Sequence, residues 1–267
     1  MIDKQELSFI KNIINSVFIV NTKNIIFTCI AEIPINKLDT MVTLIGGEKG
    51  GVGKSTLTVN LASYHREATG SDNLLIVDTD VQGSAAEWNH KRHNEGLEGI
   101  ECIQLFGKNI ISEVKRKTKR YDHIFIDAGG RDSKELRSGM VVADTMVSPI
   151  RASQFDVSTL DKLDGLVEEV TQTITPDLKC FVVVNGLKNH PNMPEFGQVM
   201  EALKDFDNLH PIPFPIYDRI IFARSAKAGR GVAEMKSKNG HIEDEKALQE
   251  IQQLHQILYG QQKRQRR

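Results

Sequence analysis

The chain has 267 residues, which suits one medium-sized α/β domain and leaves little for a second. Its net charge of −1 means that bulk charge predicts neither nucleic-acid nor membrane binding, so a local patch must meet any such partner. The three cysteines, Cys29, Cys102 and Cys180, lie far apart without metal-ligand spacing. A disulfide framework is therefore not expected, and we expect a protein of the reducing cytoplasm.

The first 40 residues differ in character from the remainder of the sequence. Residues 13–33 are rich in apolar side chains, but asparagine, lysine and glutamate interrupt them too often for a membrane span or a signal peptide. Met41 directly precedes the first convincing strand. Residues 1–40 are thus interpreted as an extra hairpin, a partner-binding arm, or sequence upstream of the true start. We expect the globular domain to span 41–259 and a basic tail to span 260–267.

Short apolar runs alternate with amphipathic segments from Met41 onwards. They predict strands at 42–45, 74–77, 100–105, 123–126, 145–150, 180–185 and 212–216, the third with edge-like alternation. Helical spacing predicts helices at 54–68, 85–93, 109–119, 157–174 and 243–259. This order indicates an α/β fold, a mostly parallel twisted sheet with helices on both faces. Functional side chains should then gather at the carboxyl ends of the strands.

A glycine-rich segment between the first strand and the first helix predicts a phosphate-binding loop of the P-loop NTPase kind. The predicted nucleotide-binding residues are Lys49, Gly50, Gly51, Val52, Gly53, Lys54, Ser55 and Thr56. The ordinary pattern requires glycine where Glu48 stands, but the remaining glycines still allow backbone N–H groups to face a phosphate. We expect Lys54 to reach the β- and γ-phosphates, Ser55 to coordinate Mg²⁺, and Thr56 to lie near the α-phosphate.

The segment from Lys49 to Ser55 resembles the deviant Walker A motif of the ParA/MinD/nitrogenase iron protein family, because it carries a second lysine. In that family the first lysine crosses to the nucleotide of the partner subunit. The resemblance therefore implies that Lys49 has a catalytic role and that ATP binding produces a homodimer. A solvated surface lysine is the alternative.

Acidic residues follow two further strands. The segment from Asp78 to Ser84 resembles the family's Asp-x-Asp-Pro-Gln-Gly segment, with Val81 where proline is usual. The resemblance implies that Asp80 belongs to the metal shell and orients or activates the attacking water, and that Asp78 supports the strand end or the metal shell. A turn or helix-capping role is the alternative for Asp80.

Asp127 closes a Walker B-like strand and is expected to hold Mg²⁺, with Lys54, Ser55 and Asp80 nearby. The family often has two prolines soon afterwards, whereas this chain has Ala128-Gly129-Gly130. These glycines predict a mobile loop that senses the γ-phosphate. They also favour similarity to the smaller plasmid-type ParA proteins.

The base is expected to be adenine, because the Asn-Lys-x-Asp motif of GTPases has no match. Asn185 ends a predicted strand, and two roles are open for its amide. The first role is a contact with adenine, as the matching asparagine makes in some relatives. The second role is to cap a loop.

The resemblance covers about residues 41–259, and it implies an ATPase that drives plasmid DNA partition. Implied partners are non-specific DNA, which would make the ATP form nucleoid-associated, and a small ParB-like centromere-binding adaptor. Three basic groups are candidates for the DNA surface: Lys108 with Lys115, Arg116, Lys117, Lys119 and Arg120; Arg219, Arg224, Lys227, Arg230, Lys236 and Lys238; and the tail 263–267.

Other functions share these motifs. A ParA-like ATPase can position a pole, conjugation or microcompartment factor, and a MinD-like protein associates with membranes. The last predicted helix lacks Phe and Trp and has an acidic polar face, which is unfavourable for an anionic bilayer. A reductase would require cysteines placed around a metal cluster, and a ligase would require a second-substrate motif. Neither is found in the sequence.

Overall fold

The structure is a computed structural model that describes residues 40–97, 99–107, 109–130, 134–154, 157–188 and 194–260. Residues 1–39, Lys108 and the tail 263–267, on which some expectations rest, lie outside the described residues.

The strands alternate with helices, as the sequence predicts. The strands are β1 (Met41–Gly47), β2 (Leu74–Asp78), β3 (Ile100–Gln104), β4 (His123–Gly130), β5 (Thr145–Ile150), β6 (Lys179–Leu187), β7 (Leu209–Pro211) and β8 (Ile216–Tyr217). The helices are α1 (Lys54–Thr69), α2 (Ser84–Asn94), α3 (Asn109–Lys117), α4 (Lys134–Val142), α5 (Val157–Thr173), α6 (Glu195–Ala202), α7 (Ile220–Lys227) and α8 (Glu245–Tyr259). Helices α4, α6 and α7 were not among the predicted elements.

The strands form one sheet in the order β3-β2-β4-β1-β5-β6-β7, and β8 pairs with β6. Every pairing between these strands is parallel, and β3 lies at the edge, so the predicted fold class is confirmed. Because the strands are parallel, the loop after β1 and the ends of β2, β4, β5 and β6 meet at one edge.

Alternation along β1 assigns the helices to the two faces of the sheet. Val42 and Leu44 join a core built with Ile110 of α3, Leu136 of α4, Leu160 of α5 and Val199 of α6. Ile45 joins the opposite core, built with Leu57 of α1, Trp88 of α2, Ile221 of α7 and Ile251 of α8. Both faces are therefore covered, which explains why the central strands read as continuous apolar runs.

Three expectations about these elements are wrong. The strand expected at 212–216 is replaced by two short strands, β7 and β8, with the prolines of this stretch between them or at their ends. Ile174, the last residue of the helix expected at 157–174, lies beyond the end of α5 and is exposed. The strand expected to end at Asp127 continues to Gly130.

A cluster of rings around the buried His123 joins α1, β1, β4 and α8, at the amino-terminal half of the sheet. Its rings are those of His65, His123, Phe125, His255 and Tyr259, and the hydroxyl of Thr43 contacts His123 and Tyr259. His123 Nε2 lies 2.9 Å from Thr43 Oγ1, and its ring stacks on Phe125 with centroids 4.2 Å apart. His65 Nδ1 lies 3.1 Å from His255 Nε2. Three histidines thus share a site that excludes water from His123.

Acidification is expected to destabilise the protein through this cluster. Burial, with smaller contributions from His65 and His255, holds the pKa of His123 well below its ordinary value. The unfolded chain therefore binds a proton that the folded chain excludes, so stability is complete above about pH 6.5 and falls as the pH drops below it. Between pH 7.5 and 5.5 we expect the Tm of the wild type to fall by about 3 °C more than that of His123→Phe.

The His123→Phe variant keeps an aromatic ring against Phe125 and leaves Thr43 its contact with Tyr259, whose hydroxyl lies 3.1 Å from Thr43 Oγ1. Thermal unfolding followed at several pH values measures the difference. Parallel pH profiles for the two proteins would contradict the prediction.

Candidate functional site

The loop between β1 and α1 has the backbone of a phosphate site. Gly51 and Gly53 adopt left-handed conformations, with φ of 71° and 90°, which side-chain-bearing residues rarely adopt. Gly53 is the N-cap of α1, and no side chain caps the helix there. The N-cap residue therefore offers no side chain to the first N–H groups of α1, and a helix start of this kind favours an anion.

Lys54 lies inside this loop and is almost fully buried, with 7% of its surface exposed. Its ammonium donates a hydrogen bond to the carbonyl oxygen of Lys49, with Nζ and O 2.8 Å apart. Burial lowers the pKa of Lys54, and the charges of Asp127 and Asp80 partly oppose that shift. A desolvated ammonium with one backbone acceptor among the described residues is well placed to exchange that acceptor for a phosphate.

Asp127, on β4, is fully buried beside the start of α1. Its Oδ1 accepts a hydrogen bond from Thr58 Oγ1 at 3.3 Å, whereas Oδ2 has no hydrogen-bond partner among the described residues. Burial raises the pKa of Asp127 to about 7, and a hydrogen bond from the Ser55 side chain acts in the opposite direction. A buried carboxylate oxygen without a partner is costly unless a cation or a donor satisfies it.

The oxygens of Asp127 and Ser55 fit a magnesium ion. Magnesium in nucleotide sites takes one or two protein oxygens and completes its shell with water and phosphate. In the described part of the chain, no group of three His, Cys, Asp or Glu side chains is arranged to hold a metal by itself.

Asp78 lies opposite Asp127 on the neighbouring strand, but its carboxylate is held by backbone N–H groups. Its Oδ1 accepts from the backbone N–H of Asp80 at 3.0 Å, and its Oδ2 accepts from that of Ala86 at 2.9 Å. Both carboxylate oxygens thus support the turn after β2 and the first turn of α2. Of the two expected roles, support of the strand end is the one that these contacts favour.

Asp80 occupies a tight turn at the same edge of the sheet. Its Oδ1 accepts from the N–H of Gln82 at 3.0 Å, and its carbonyl accepts from that of Gly83 at 2.9 Å. The carboxylate also faces β4: a methyl group added to Gly129 would lie 3.6 Å from Asp80 Cγ. Because the charge of Asp80 also acts on the pKa of Lys54, the turn and the phosphate site share this residue.

The glycines after Asp127 form the packed end of β4 and not a separate loop. A Cβ on Gly130 would lie 3.0 Å from the backbone nitrogen of Gly50 and 3.3 Å from the carbonyl carbon of Lys49. Two backbones therefore approach closely here, and only glycine leaves the space. In residues 128–130, the described part of the expected loop, this contact couples the end of β4 to the phosphate loop, and residues 131–133 lie outside the described residues.

The remaining predicted loop residues lie on two cavities. Lys49 is half-exposed and lines one of them together with Glu48, Val52, Ser148 and Arg151. Ser55 and Thr56 line a cavity of about 150 Å³ between α1, α2 and α7, whose other walls include Trp88 and Lys227.

Asn185 supports the phosphate loop from β6. Its Nδ2 donates to the carbonyl oxygen of Val52 at 2.7 Å, and a Cβ on Gly53 would lie 2.4 Å from that nitrogen. These contacts correspond to the loop-capping role, because the amide N–H is directed at the loop backbone.

Two residues of the site were missed by sequence reasoning. Arg151 directly follows β5 and donates from Nε to the carbonyl oxygen of Gly51 at 3.1 Å. Thr58 contacts Asp127 from the second turn of α1. The position of Arg151 at a strand's carboxyl end was a usable signal, whereas the contact of Thr58 depends on how α1 packs on β4.

The late basic residues are partly neutralised. Arg219 pairs with Glu250 at 2.7 Å, Arg224 with Glu243 at 3.0 Å, and Arg230 with Glu95 at 3.8 Å. The lysines of this group, Lys227, Lys236 and Lys238, are exposed. In the other described group, Arg116 and Arg120 pair with Glu113 and Glu101, and Lys115 and Lys119 are exposed.

Comparison with known proteins agrees with this geometry. Residues 43–232 match the model of the CobQ/CobB/MinD/ParA nucleotide binding domain. The chain is 26% identical to the maintenance of carboxysome distribution protein A of Gloeobacter kilaueensis over 212 residues, which cover 77% of this chain and 89% of that protein.

Two further similarities concern partition proteins. The chromosome-partitioning ATPase Soj of Thermus thermophilus is 25% identical over 162 residues, covering 51% of this chain and 64% of Soj. A plasmid partition protein from Borrelia burgdorferi has a similar fold, with a TM-score of 0.53 and 18% identity over 72% of this chain and 96% of that one. Because the family model spans most of the chain and coincides with the phosphate loop and its acidic neighbours, this chain belongs to the CobQ/CobB/MinD/ParA family of nucleotide-binding domains.

Proposed function

We propose that this protein is an ATP-hydrolysing switch that dimerises on binding ATP and, in that state, binds DNA non-specifically to drive plasmid partition. The observation that carries the proposal is the meeting of Lys54, Asp80 and Asp127 around a phosphate loop with a second lysine, Lys49. This set contains the groups that phosphoryl transfer requires, which are mainly positioning and charge stabilisation.

In the proposed reaction the phosphate loop binds the nucleotide through its backbone N–H groups, and Lys54 transfers its hydrogen bond from the Lys49 carbonyl to the β- and γ-phosphates. Asp127 and Ser55 would hold Mg²⁺, which neutralises phosphate charge when bound. The Asp80 carboxylate accepts a hydrogen bond from the attacking water and thereby orients it. Thr56 contacts the α-phosphate. Asn185 keeps the loop in place, and a contact of its carboxamide with adenine remains part of the proposal.

Lys49 is proposed to contact the nucleotide of the partner subunit. Such a contact exists only in the dimer, so it provides the differential affinity by which ATP shifts the monomer–dimer equilibrium. Replacement of Lys49 by alanine is therefore expected to leave ATP binding by the monomer within about threefold and to weaken the ATP-dependent dimer at least about tenfold. Sedimentation velocity with a non-hydrolysable ATP analogue measures both populations.

Lys204→Ala is the matched control. Lys204 is an exposed lysine in the turn after α6, outside the site, and it pairs with Glu201 of α6. It is expected to dimerise like the wild type. Normal dimerisation of the Lys49 variant would support the alternative that this lysine is an ordinary surface residue.

The DNA surface is proposed to be the late group of exposed lysines. Lys227 lines the same cavity as Ser55 and Thr56, so a nucleotide bound at these two residues would change the surroundings of Lys227. The other group, with Lys115 and Lys119, lies just before β4, at the amino-terminal edge of the sheet and away from the phosphate loop. A switch requires the first arrangement, because DNA affinity has to depend on ATP.

The decisive experiment measures DNA binding across salt concentrations with and without ATP. Substituting alanine for Lys227, Lys236 and Lys238 together is expected to lower the slope of log affinity against log salt by about 2 to 3, since each phosphate contact contributes about 0.9. The triple alanine variant at Lys115, Lys117 and Lys119 is the control and should keep the slope. Equal affinity with and without ATP would contradict the switch.

A second candidate is the positioning of another cargo, because the relative from Gloeobacter kilaueensis is a carboxysome distribution protein. Both candidates share the ATPase site and a partner-stimulated dimer, and they differ in the adaptor: a ParB-like centromere-binding protein for DNA, or a cargo protein otherwise. Addition of a centromere-binding adaptor to an ATPase assay separates them by whether turnover increases.

A MinD-like membrane function is disfavoured by α8. Its apolar residues Ala247, Ile251, Leu254 and Leu258 are buried against the domain. In the described part of the chain, no helix combines the length and the apolar character that crossing a bilayer requires. We therefore propose that the protein is cytoplasmic and associates with the nucleoid when ATP is bound.

A further inference from the structure

Two consecutive carbonyl groups of the phosphate loop accept hydrogen bonds from outside the loop. Arg151 Nε donates to Gly51 O at 3.1 Å, and Asn185 Nδ2 donates to Val52 O at 2.7 Å. A loop whose N–H groups converge on an anion turns its carbonyl groups outward, where they need donors. The two side chains meet that need on neighbouring peptides.

The sheet places these two side chains together. Strands β5 and β6 are parallel neighbours with Ile150 opposite Val184. The residues that follow this pair are Arg151, directly after β5, and Asn185, near the end of β6. Both donors therefore come from the carboxyl ends of adjacent strands, at the edge where the phosphate loop lies. The contact results from the register of the two strands and not from a flexible loop.

Gly186 supplies the space that the Arg151 guanidinium occupies. It adopts φ of 70°, and a Cβ at this position would lie 3.2 Å from Arg151 Cζ and 3.3 to 3.4 Å from the two terminal nitrogens. The planar guanidinium thus lies against the bare Cα of Gly186, and its Nε is directed at the loop.

We propose that Arg151 is a positioning residue for nucleotide binding, and that Gly186 is the glycine that permits its placement. Arg151 keeps the Gly51 carbonyl turned outward, so that the following N–H groups face the phosphates before ATP arrives. Without it, ordering of the loop would have to occur on binding, which weakens affinity without altering the chemical step. The inference rests on the nucleotide-binding role of the loop and does not depend on DNA or dimerisation.

The test compares ATP affinity, measured by calorimetry, with kcat and KM for ATP hydrolysis. Arg151→Ala is expected to raise Kd and KM about tenfold and to leave kcat within about twofold, as befits the loss of one charged hydrogen bond outside the reacting atoms. Arg151→Lys should rescue little, because lysine carries a carbon where arginine has Nε. Arg137→Ala is the control, since Arg137 pairs with Glu169 on the helical surface and should have no effect.

Gly186→Ala provides an independent variant. The added methyl group would lie 3.2 to 3.4 Å from the guanidinium, which has to shift by a few tenths of an ångström, and alanine is also strained at φ of 70°. ATP affinity should therefore fall in the same direction as in Arg151→Ala, and the double variant should lose less than the sum of the two. Circular dichroism checks that each variant is folded.

The outcomes separate the alternatives. Unchanged ATP affinity in Arg151→Ala overturns the inference, and so does full rescue by lysine, which would indicate that only the charge matters. A fall in kcat at unchanged Kd would also overturn it, because Arg151 would then act on the transferred phosphate. If the wild-type protein binds ATP but shows no ATP-dependent DNA binding, the proposed switch is contradicted and the role of Arg151 is unaffected.

Discussion

Replacement of Lys54 by alanine is expected to weaken ATP binding by about 100-fold or more. The ammonium is the cation buried within the phosphate loop, and it would form charged hydrogen bonds with two phosphates in a site from which water is largely excluded. Calorimetric titration with ATP measures the loss directly. Tight ATP binding with normal turnover would refute the assignment of the loop.

The fold should tolerate this substitution. Burial lowers the pKa of Lys54, which means that the folded protein carries a desolvation cost for its charge. Removing the side chain leaves the Lys49 carbonyl, which lies at a half-exposed residue, accessible to water. The relief of that desolvation cost offsets the packing lost with the buried aliphatic stem of Lys54. The Tm of the Lys54→Ala protein without nucleotide is therefore expected to stay close to that of the wild type, and a thermal scan checks that a loss of ATP binding is not due to unfolding.

Replacement of Asp80 by alanine should have the opposite profile: ATP binding and dimerisation are kept, and hydrolysis falls about 100-fold or more. The carboxylate is proposed to orient water, a contribution made on the way to the transition state and not on binding. Single-turnover hydrolysis together with ATP titration measures both effects. Normal turnover would show that the catalytic role is wrong.

The structure requires a second variant at this position, because Asp80 also accepts a hydrogen bond from the N–H of Gln82. Asp80→Asn keeps an oxygen that can accept that bond and removes the charge. If hydrolysis is lost in both variants, the carboxylate itself is needed. If asparagine restores turnover, the residue acts through the turn.

Much of the fold could be predicted from the sequence, because parallel strands with both faces covered have continuous apolar runs. The runs ending at Ile45, Val77 and Ile126 locate three central strands, and the polar residues that come after them locate the edge that carries the site. The elements that were missed are short. Helices α4, α6 and α7 have eight or nine residues each, so little more than two turns show the helical period, and among helices this short in the described chain α3 alone was predicted.

The candidate site likewise has residues that the sequence predicts and residues that only the folded structure brings to it. Local sequence patterns were enough to predict Lys49, Lys54, Asp80 and Asp127 as candidates. Each of them belongs to one loop or to the end of one strand, and the structure brings these segments to one edge of the sheet. The same patterns indicate where glycine is needed in the phosphate loop, because left-handed backbone there is part of the motif.

The groups that support that loop are established only in the folded chain. The Arg151 and Asn185 contacts depend on the parallel register of β5 and β6, and the close approach of Gly130 to Gly50 depends on the packing of β4 against the loop. The pairing of Arg219 with Glu250 likewise joins residues 31 positions apart. Such contacts join segments distant in sequence, so no local pattern encodes them; they arise only when the strands pair and the helices pack.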